Sequence, residues 1–361
     1  MAGSDVGCIT TWLFAQVVNR VDVSVVERTM NYPFQLSVLV PCCNVERCLE
    51  MSLWCLEQQW DDDDSMEIVF VNDGSTDGTL ELLQSYCKKH PDNTILIDKK
   101  VNCGVAQARN DAMKAARGRW ITFFDPDDAI SAGAYQAMSN GYLDESIDIL
   151  SFDANRVYDV DMLPLPHYNG RVEWEGDCKA FFKEYDTSVP WTFIYRRELL
   201  ERLGVGFPHL SFLEGELFNL DVFLNDNIRV RRVGCKPYYH HNRPVSLSSV
   251  STARNNAARI DDVMTVIEYM EQKKSLQHDE QLKRKITEKQ TGIARLLMPI
   301  IARCDQVDTV MVRRIRQQLK SWKVYPYQAL GGGVMHVIYN LLFRFPRLLA
   351  VVRPLFMGNN H

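Results

Sequence analysis

Three carboxylates, Asp125, Asp127 and Asp128, stand together at the end of the run WITFFDPDD that begins at Trp120. Two carboxylates one residue apart on a turn can share one hard divalent cation. Mg²⁺ or Mn²⁺ is normally held by one or two such groups, while phosphate oxygens complete its shell. The aromatic and β-branched run from Trp120 to Phe124 reads as a buried strand. Open α/β sheets bind ligands beyond the carboxyl ends of their strands, which is where this run releases its acids. The competing reading is an Asp-rich turn capping a helix that starts at Ala129. A bare Asp-x-Asp is common, so the rest of the chain must decide.

A second acid ends another apolar run. Glu67 to Val71 (EIVFV) reads as a strand and leads into Asn72, Asp73, Gly74, Ser75, Thr76, Asp77, Gly78 and Thr79. Two glycines and three hydroxyls make a tight, hydrogen-bond-rich turn. Such a turn can hold a nucleoside, with Asp73 accepting from base or ribose hydroxyl groups. The surrounding elements must bring Asp73 and Asp125 to one edge. Leu36 to Val40 is an earlier strand, expected to stop at Pro41. Asn44 is expected to cap a helix whose core-facing positions Val45, Cys48, Leu49, Ser52, Leu53 and Leu56 recur at helical spacing. A helix follows at Leu80 to Lys88, a strand at Ile95 to Ile97, and a helix from Val105 to Arg117 ending at Gly118. This alternation predicts the α/β class, with a mostly parallel sheet and helices on both faces. No GxGxxG follows the first strand and no GxxxxGK[ST] occurs anywhere. That argues against dinucleotide oxidoreductases and P-loop enzymes, and leaves a nucleotide to be held by carboxylates and a metal.

A chain of 361 residues accommodates one large α/β domain plus an appendage. Its ten cysteines show no CxxC pair and no Cys/His ligand spacing, so neither zinc nor a disulfide framework is implied, and a reducing cytoplasm is expected. The N-terminus has no secretory leader pattern, and no apolar run is long enough to span a bilayer. Asp61 to Asp64 read as a solvated acidic loop. The net charge of −5 is unevenly spread: no acid follows Asp308, while Arg313, Arg314, Arg316, Lys320, Lys323, Arg344, Arg347 and Arg353 give eight positive charges, leaving −13 on residues 1 to 308. The tail therefore favours an anionic surface and the body does not; no nucleic-acid partner is expected.

Residues 36 to about 250 resemble a GT-A glycosyltransferase of family 2, the inverting bacterial type that builds surface polysaccharides. Four landmarks carry the resemblance in order: LSVLVPCCNVERCLEMSLWCLEQ, EIVFVNDGSTDGT, NCGVAQARNDAMKAARGRWITFFDPDD, and the pair WTFIYRRELL with YYHHNRPVSLS. The resemblance implies a GT-A fold and a donor site made of Pro41, Asn44, Glu46, Asp73, Arg109, Asp125, Asp127 and Arg243. Within it, Pro41 and Asp73 surround the base, Arg109 lies near the diphosphate and sugar, and Asp125 touches ribose or sugar hydroxyls. Asp127 is the implied direct ligand of Mg²⁺ or Mn²⁺, and His240 or His241 a further metal or diphosphate contact, with an unliganded surface pair as the alternative. Asp128 is assigned to a helix cap. Arg243 and Ser246 would close the diphosphate pocket. Trp191 would line the acceptor cleft, against the alternative of a core tryptophan. Two departures stand out. Cys43 occupies a place usually held by an aromatic, and Gly215 stands where the family carries its catalytic Asp, leaving Glu214 or Glu216 as candidate base.

The expectation is an inverting glycosyltransferase moving a sugar from a nucleotide-diphosphate sugar, with UDP as the nucleotide, to a glycan or lipid-linked acceptor. The alternatives are a sugar nucleotidyltransferase, which lacks its glycine-rich, lysine-containing phosphate loop here, and a degenerate scaffold that binds without catalysis. Residues 1–33 form an extension and 34–255 the GT-A domain, divided into a nucleotide-sugar half (34–130) and an acceptor half (131–255). Residues 256–361 form a basic, helical C-terminal region. In the last of these, Val312, Ile315, Leu319 and Trp322 make one apolar stripe, and Val337, Ile338, Leu341, Leu342, Phe345 and Leu348 a second, expected to lie on an anionic membrane surface at the inner face of the cell membrane. A helical subdomain packed on the core is the alternative.

Overall fold

The structure, a computed structural model, describes residues 32–60, 65–157, 170–241, 253–304, 306–326, 335–349 and 351–352. Residues 1–31, the acidic loop Asp61–Asp64, Arg243, Ser246 and Arg353 lie outside them.

The N-terminal half alternates strand and helix: β1 Phe34–Cys42, α1 Glu46–Glu57, β2 Met66–Asp73, α2 Thr79–Lys89, β3 Thr94–Lys99, α3 Val105–Ala115 and β4 Gly118–Phe123. These four strands are parallel neighbours in the order β3-β2-β1-β4. β2 is buried at every residue, as a strand covered on both faces requires. β1 does not stop at Pro41. Leu39 turns its carbonyl toward β4, accepting from Phe124 N–H at 2.9 Å, and β1–β4 pairing ends at Leu39 and Phe123. Pro41, two residues on, faces the same side beyond the end of β4, where its missing N–H costs no ladder bond. The helix expected to reach Arg117 ends at Ala115, because Arg117 leaves it to pair with the fully buried Glu67 (Nε to Oε2, 2.8 Å). Gly118 opens β4 instead of closing the helix. A Cβ there would lie 2.6 Å from Ser37 Oγ and 2.7 Å from Ser37 N, so only glycine lets β4 start against β1.

The second half supplies β5 Ala129–Ile130, α4 Ala134–Tyr142, β6 Ile149–Ser151, β7 Ala154–Val157, β8 Val172–Asp177, α5 Cys178–Glu184, β9 Phe193–Arg196, α6 Arg197–Leu203, α7 Glu214–Phe223, β10 Arg229–Val233 and β11 Tyr238–His241. The main sheet continues β4-β9-β6-β10-β8, with β9 antiparallel to β4 and β6. A separate three-stranded sheet, β5-β11-β7, seats Tyr238 and Tyr239 against the two residues that follow Asp128. The expected helix at Ala129 is therefore a strand. Phe207 stacks on Phe218 with ring centroids 4.2 Å apart, and Phe123 meets both edge-on, which fixes α7 over β4.

The C-terminal region is helical: α8 Ala253–Ser275, α9 Glu280–Ala294, α10 Leu297–Ala302, α11 Thr309–Ser321 and α12 Met335–Arg344. The two apolar stripes have different fates. Val312, Ile315 and Leu319 of α11 are buried, so that stripe is packing. On α12, Leu342 and Phe343 are buried, but Val337, Ile338 and Leu341, with Phe345 and Leu348 beyond the helix, remain exposed. Arg316 on α11 donates to the carbonyls of Phe343 and Arg344 at 3.1 Å, satisfying acceptors left open at the end of α12. Among the described residues no helix is long and apolar enough to cross a membrane.

Candidate active site

The acids gather at the carboxyl edge of the parallel strands. Asp73 closes β2 and is 2% exposed. Its Oδ1 lies 2.8 Å from Lys99 Nζ at the end of β3, and its carboxylate accepts from the N–H groups of Cys103 and Gly104 (2.8–3.1 Å). The acid is thus fixed in place by the loop before α3.

Asn44 does not cap α1. It sits at φ 53°, its Oδ1 accepts from Thr76 N–H at 2.8 Å, and its own N–H donates to Ser75 Oγ at 3.1 Å. Glu46 Oε2 accepts from Gly78 N–H at 2.9 Å, and its N–H donates to Asp77 Oδ2 at 3.2 Å. Both residues clamp the β1–α1 turn to the β2–α2 loop, because the first α1 donors find acceptors across that gap. Pro41 stands beside Val71 in this frame, and Cys43 Sγ accepts from Asn102 Nδ2 at 2.9 Å.

Arg109 joins the two sides of the site. It is 5% exposed on α3, its Nη2 donates to Asp125 Oδ1 at 2.8 Å, and its Nη1 donates to Glu214 Oε1 at the first residue of α7. Burial opposes its charge, but Asp125 and Glu214 outweigh this and hold its pKa above the ordinary value. Glu216 points elsewhere: its Oε2 lies 3.1 Å from Lys289 Nζ on α9. The two candidate bases are therefore separated, and only Glu214 shares Arg109 with Asp125. Gly215 lies between them, and a Cβ there would sit 2.9 Å from Pro190 Cδ. An aspartate at 215 requires Pro190 to move.

Asp128 is not a helix cap. It is fully buried, its Oδ2 accepts from the Tyr238 hydroxyl at 2.8 Å, its Oδ1 accepts from His241 N–H at 2.9 Å, and His240 Nδ1 lies 3.2 Å away. The Tyr238 hydroxyl in turn accepts from Asp125 N–H at 3.1 Å. One buried carboxylate thus ties β11 to the Asp125–Asp127 turn, and its hydrogen bond raises the His240 pKa against the effect of burial. The two histidines differ. His241 is 3% exposed with Nδ1 3.0 Å from the Asp127 carbonyl, so it braces the turn. The side chain of His240 is 37% exposed. With Nδ1 engaged by Asp128, His240 keeps Nε2 for a ligand, the arrangement that usually orients a metal-binding imidazole. Trp191 is 9% exposed and stacks on Tyr238 (4.5 Å between centroids) and His240 (5.4 Å). It supports His240 from the core and offers little surface to an acceptor. Among the described residues no three or more His, Cys, Asp or Glu side chains gather around a point that could hold a cation. Asp127 and His240 carry the carboxylate and imidazole chemistry that suits a divalent cation taking its remaining ligands from phosphate oxygens.

Lys99, Tyr238 and Lys289 were not singled out from sequence. Lys99 had a signal, since with Asp98 it follows the apolar run Ile95–Ile97 as Asn72 and Asp73 follow theirs. Tyr238 and Lys289 had none.

Residues 37–204 match the family model described as glycosyl transferase family 2. These residues form a family 2 glycosyltransferase domain. An uncharacterized glycosyltransferase of Bacillus subtilis, EpsJ, is 30% identical over 60% of this chain and 63% of its own length. The poly(ribitol-phosphate) β-N-acetylglucosaminyltransferase TarS of Staphylococcus aureus is 30% identical over 57% of this chain and 35% of its own. The matched segments thus span less than two thirds of either relative. The crystal structure of TarS 1–349 with UDP-GlcNAc superposes with a TM-score of 0.59, at 20% identity, over 90% of this chain and 89% of that one. A mannosyltransferase from Pyrobaculum calidifontis, in complex with GDP-Man and Mn²⁺, superposes at 0.50 and 16% identity, over 96% and 93%. The family 2 domain therefore has the GT-A fold, and these likenesses extend past it into the C-terminal helices.

Proposed function

We propose that the protein is an inverting glycosyltransferase that moves a sugar from a UDP-sugar to a hydroxyl of a growing cell-surface glycan or its lipid-linked precursor. The observation that carries this reading is the Arg109 bridge, which joins a donor-side acid, Asp125, to an acceptor-side carboxylate, Glu214, at the open edge of the sheet. In this reading Asp73 and Pro41 border the base, Arg109 and Arg243 serve the diphosphate, and Asp125 meets sugar or ribose hydroxyls. Asn44 and Glu46 act from behind, by holding the loop that carries the nucleotide. Asp127 and His240 would hold Mg²⁺ or Mn²⁺, which when bound neutralises charge on the departing diphosphate. Glu214 takes the proton of the attacking hydroxyl; a carboxylate within hydrogen-bond reach contributes roughly 10²–10⁴-fold. Attack from the face opposite the leaving group inverts the anomeric centre, so an α-linked donor gives a β-linked product.

The exposed apolar residues of α12, flanked by Arg344 and Arg347 in a tail without acids, support peripheral contact with the anionic inner face of the cell membrane, where a lipid-linked acceptor resides. UDP release from a panel of UDP-hexoses, with Mn²⁺ and with EDTA, tests the reading. Turnover with at least one donor, lost in EDTA and in Asp127→Asn, is the expected result. Nucleotide binding without turnover for any donor would favour a non-catalytic scaffold, to which Gly215 already points.

A further inference from the structure

Helix α7 is buried at every residue after Glu214, from Gly215 to Phe223. Two carboxylates lie inside that stretch, Glu216 and Asp221, each 7% exposed. A carboxylate removed from water stays ionised only where cations or hydroxyls replace its solvent. For both acids these partners come from helices beyond the family 2 match. On α8 the Tyr269 hydroxyl lies 2.7 Å from Asp221 and Lys273 Nζ lies 2.5 Å from it. On α9, Lys289 Nζ lies 3.1 Å from Glu216, 3.0 Å from Ser188 Oγ and 3.4 Å from Asp186.

Lys289 therefore grips two things together. One is the first turn of α7, through Glu216. The other is the Asp186–Ser188 segment, which runs on to Pro190, against which Gly215 packs. Glu214, two residues before Glu216 on the same rigid turn, is the residue that reaches Arg109 and the donor acids. A cleft of about 350 Å³, lined in part by Lys285, Glu288 and Gly292, opens beside this pair.

We propose that Lys289 is a positioning residue for sugar transfer: by neutralising Glu216 and tying α7 to the Asp186–Ser188 segment, it sets where the Glu214 carboxylate stands. The C-terminal helix α9 thereby becomes part of the transfer machinery. This inference rests on Glu214 being the base.

The test uses the full chain, UDP release from the UDP-hexose that the wild type turns over fastest, UDP affinity by calorimetry, and hydrogen exchange of the segment 210–223. Lys289→Gln removes the charge and keeps an N–H donor on that side of α9. It is expected to cut kcat roughly tenfold, in line with the cost of small misplacements at reacting groups, with UDP affinity and donor KM unchanged and faster exchange at the start of α7. Lys289→Arg is expected to restore most of kcat. Glu216→Gln should reproduce the loss, and the two changes combined should cost no more than either alone; this pairing also serves if the lysine variant folds poorly. Unchanged kcat in folded Lys289→Gln, additive losses, or a loss confined to KM would overturn the proposal, the last making the cleft a substrate subsite. Failure of the underlying reading looks different: Glu214→Gln would then leave turnover at the wild-type level whatever Lys289 does.

Discussion

The N-terminal strands and helices, from β1 to the Asp125–Asp127 turn, and helix α7 settle their buried charges in opposite ways. Between β1 and the Asp125–Asp127 turn, Asp73 pairs with Lys99, Glu67 with Arg117 and Asp125 with Arg109, all within one run of strand and helix. In α7, Glu216 and Asp221 wait for Lys289, Tyr269 and Lys273, which arrive only after the domain's last strand. Arg109, which also holds Glu214, carries a charged bridge between the two regions. On the proposed function, the donor side can be complete as soon as its strands pair, whereas the acceptor side needs a later part of the chain to dock.

The largest effect expected from this contrast comes from truncation. A chain ending at residue 252 leaves Glu216 and Asp221 without their partners. Breaking one buried ion pair costs about 3–5 kcal/mol, comparable with much of a domain's net stability. Such a chain is expected to be insoluble or to lack a cooperative melt. A chain ending at Asp308 keeps α8 and α9 and should bind UDP as the full chain does. If the shorter chain melts cooperatively and turns over a UDP-hexose, the C-terminal helices are not needed to seat α7.

Next in size is the separation of the two glutamates. Glu214→Gln should lower turnover by roughly 10²-fold or more with UDP affinity intact, whereas Glu216→Gln should lower it about tenfold through position alone. Equal losses would return the choice of base to both residues.

The contrast also explains what could be read from the chain. Asp73, Asp125 and Asp127 were legible because parallel strands release their side chains at one edge, and an apolar run ending in acids marks that edge. The parallel pairing of the first half followed from the same alternation. Asp128 was not legible: an acid after a strand can cap a helix or bury itself, and only the return of β11 a hundred residues later decides which. Pro41 misled for a related reason, since whether a proline ends a strand depends on a neighbour that happens to stop first. Lys289 was beyond reach, because on α9 it resembles Lys283 and Lys285, and nothing local says which of them faces a buried acid. The first apolar stripe of the tail was read correctly as a stripe, but its cover is protein.

A smaller effect concerns Gly215. Restoring an aspartate would press its Cβ to 2.9 Å from Pro190 Cδ, and overpacking of this kind costs about 1–3 kcal/mol. Gly215→Asp should lower the urea midpoint without raising turnover. A gain in turnover would mean that Pro190 yields, and that the site has lost a base that Glu214 does not replace.

The smallest effect is expected at the exposed face of α12, and it asks whether the C-terminal region has a second task besides holding α7. Five apolar side chains, Val337, Ile338, Leu341, Phe345 and Leu348, are 36–50% exposed there, and Arg344 and Arg347 lie among them. Each cation near an anionic leaflet is worth about 1 kcal/mol, so Arg344→Gln with Arg347→Gln should weaken vesicle binding by roughly 30-fold and leave UDP affinity untouched. Full-length protein should sediment with vesicles rich in anionic lipid and be released in part as salt rises, since the Debye length falls from ~10 Å at 0.1 M to ~3 Å at 1 M. Leu341→Ser should weaken the salt-resistant remainder, because that part rests on apolar burial. Arg316, which caps α12 at Phe343 and Arg344, supplies the control: Arg316→Gln should loosen α12 without removing a charge from its exposed face. If the double arginine variant sediments like the wild type and Leu341→Ser does too, α12 covers something other than lipid, and the C-terminal region keeps only its role in seating α7.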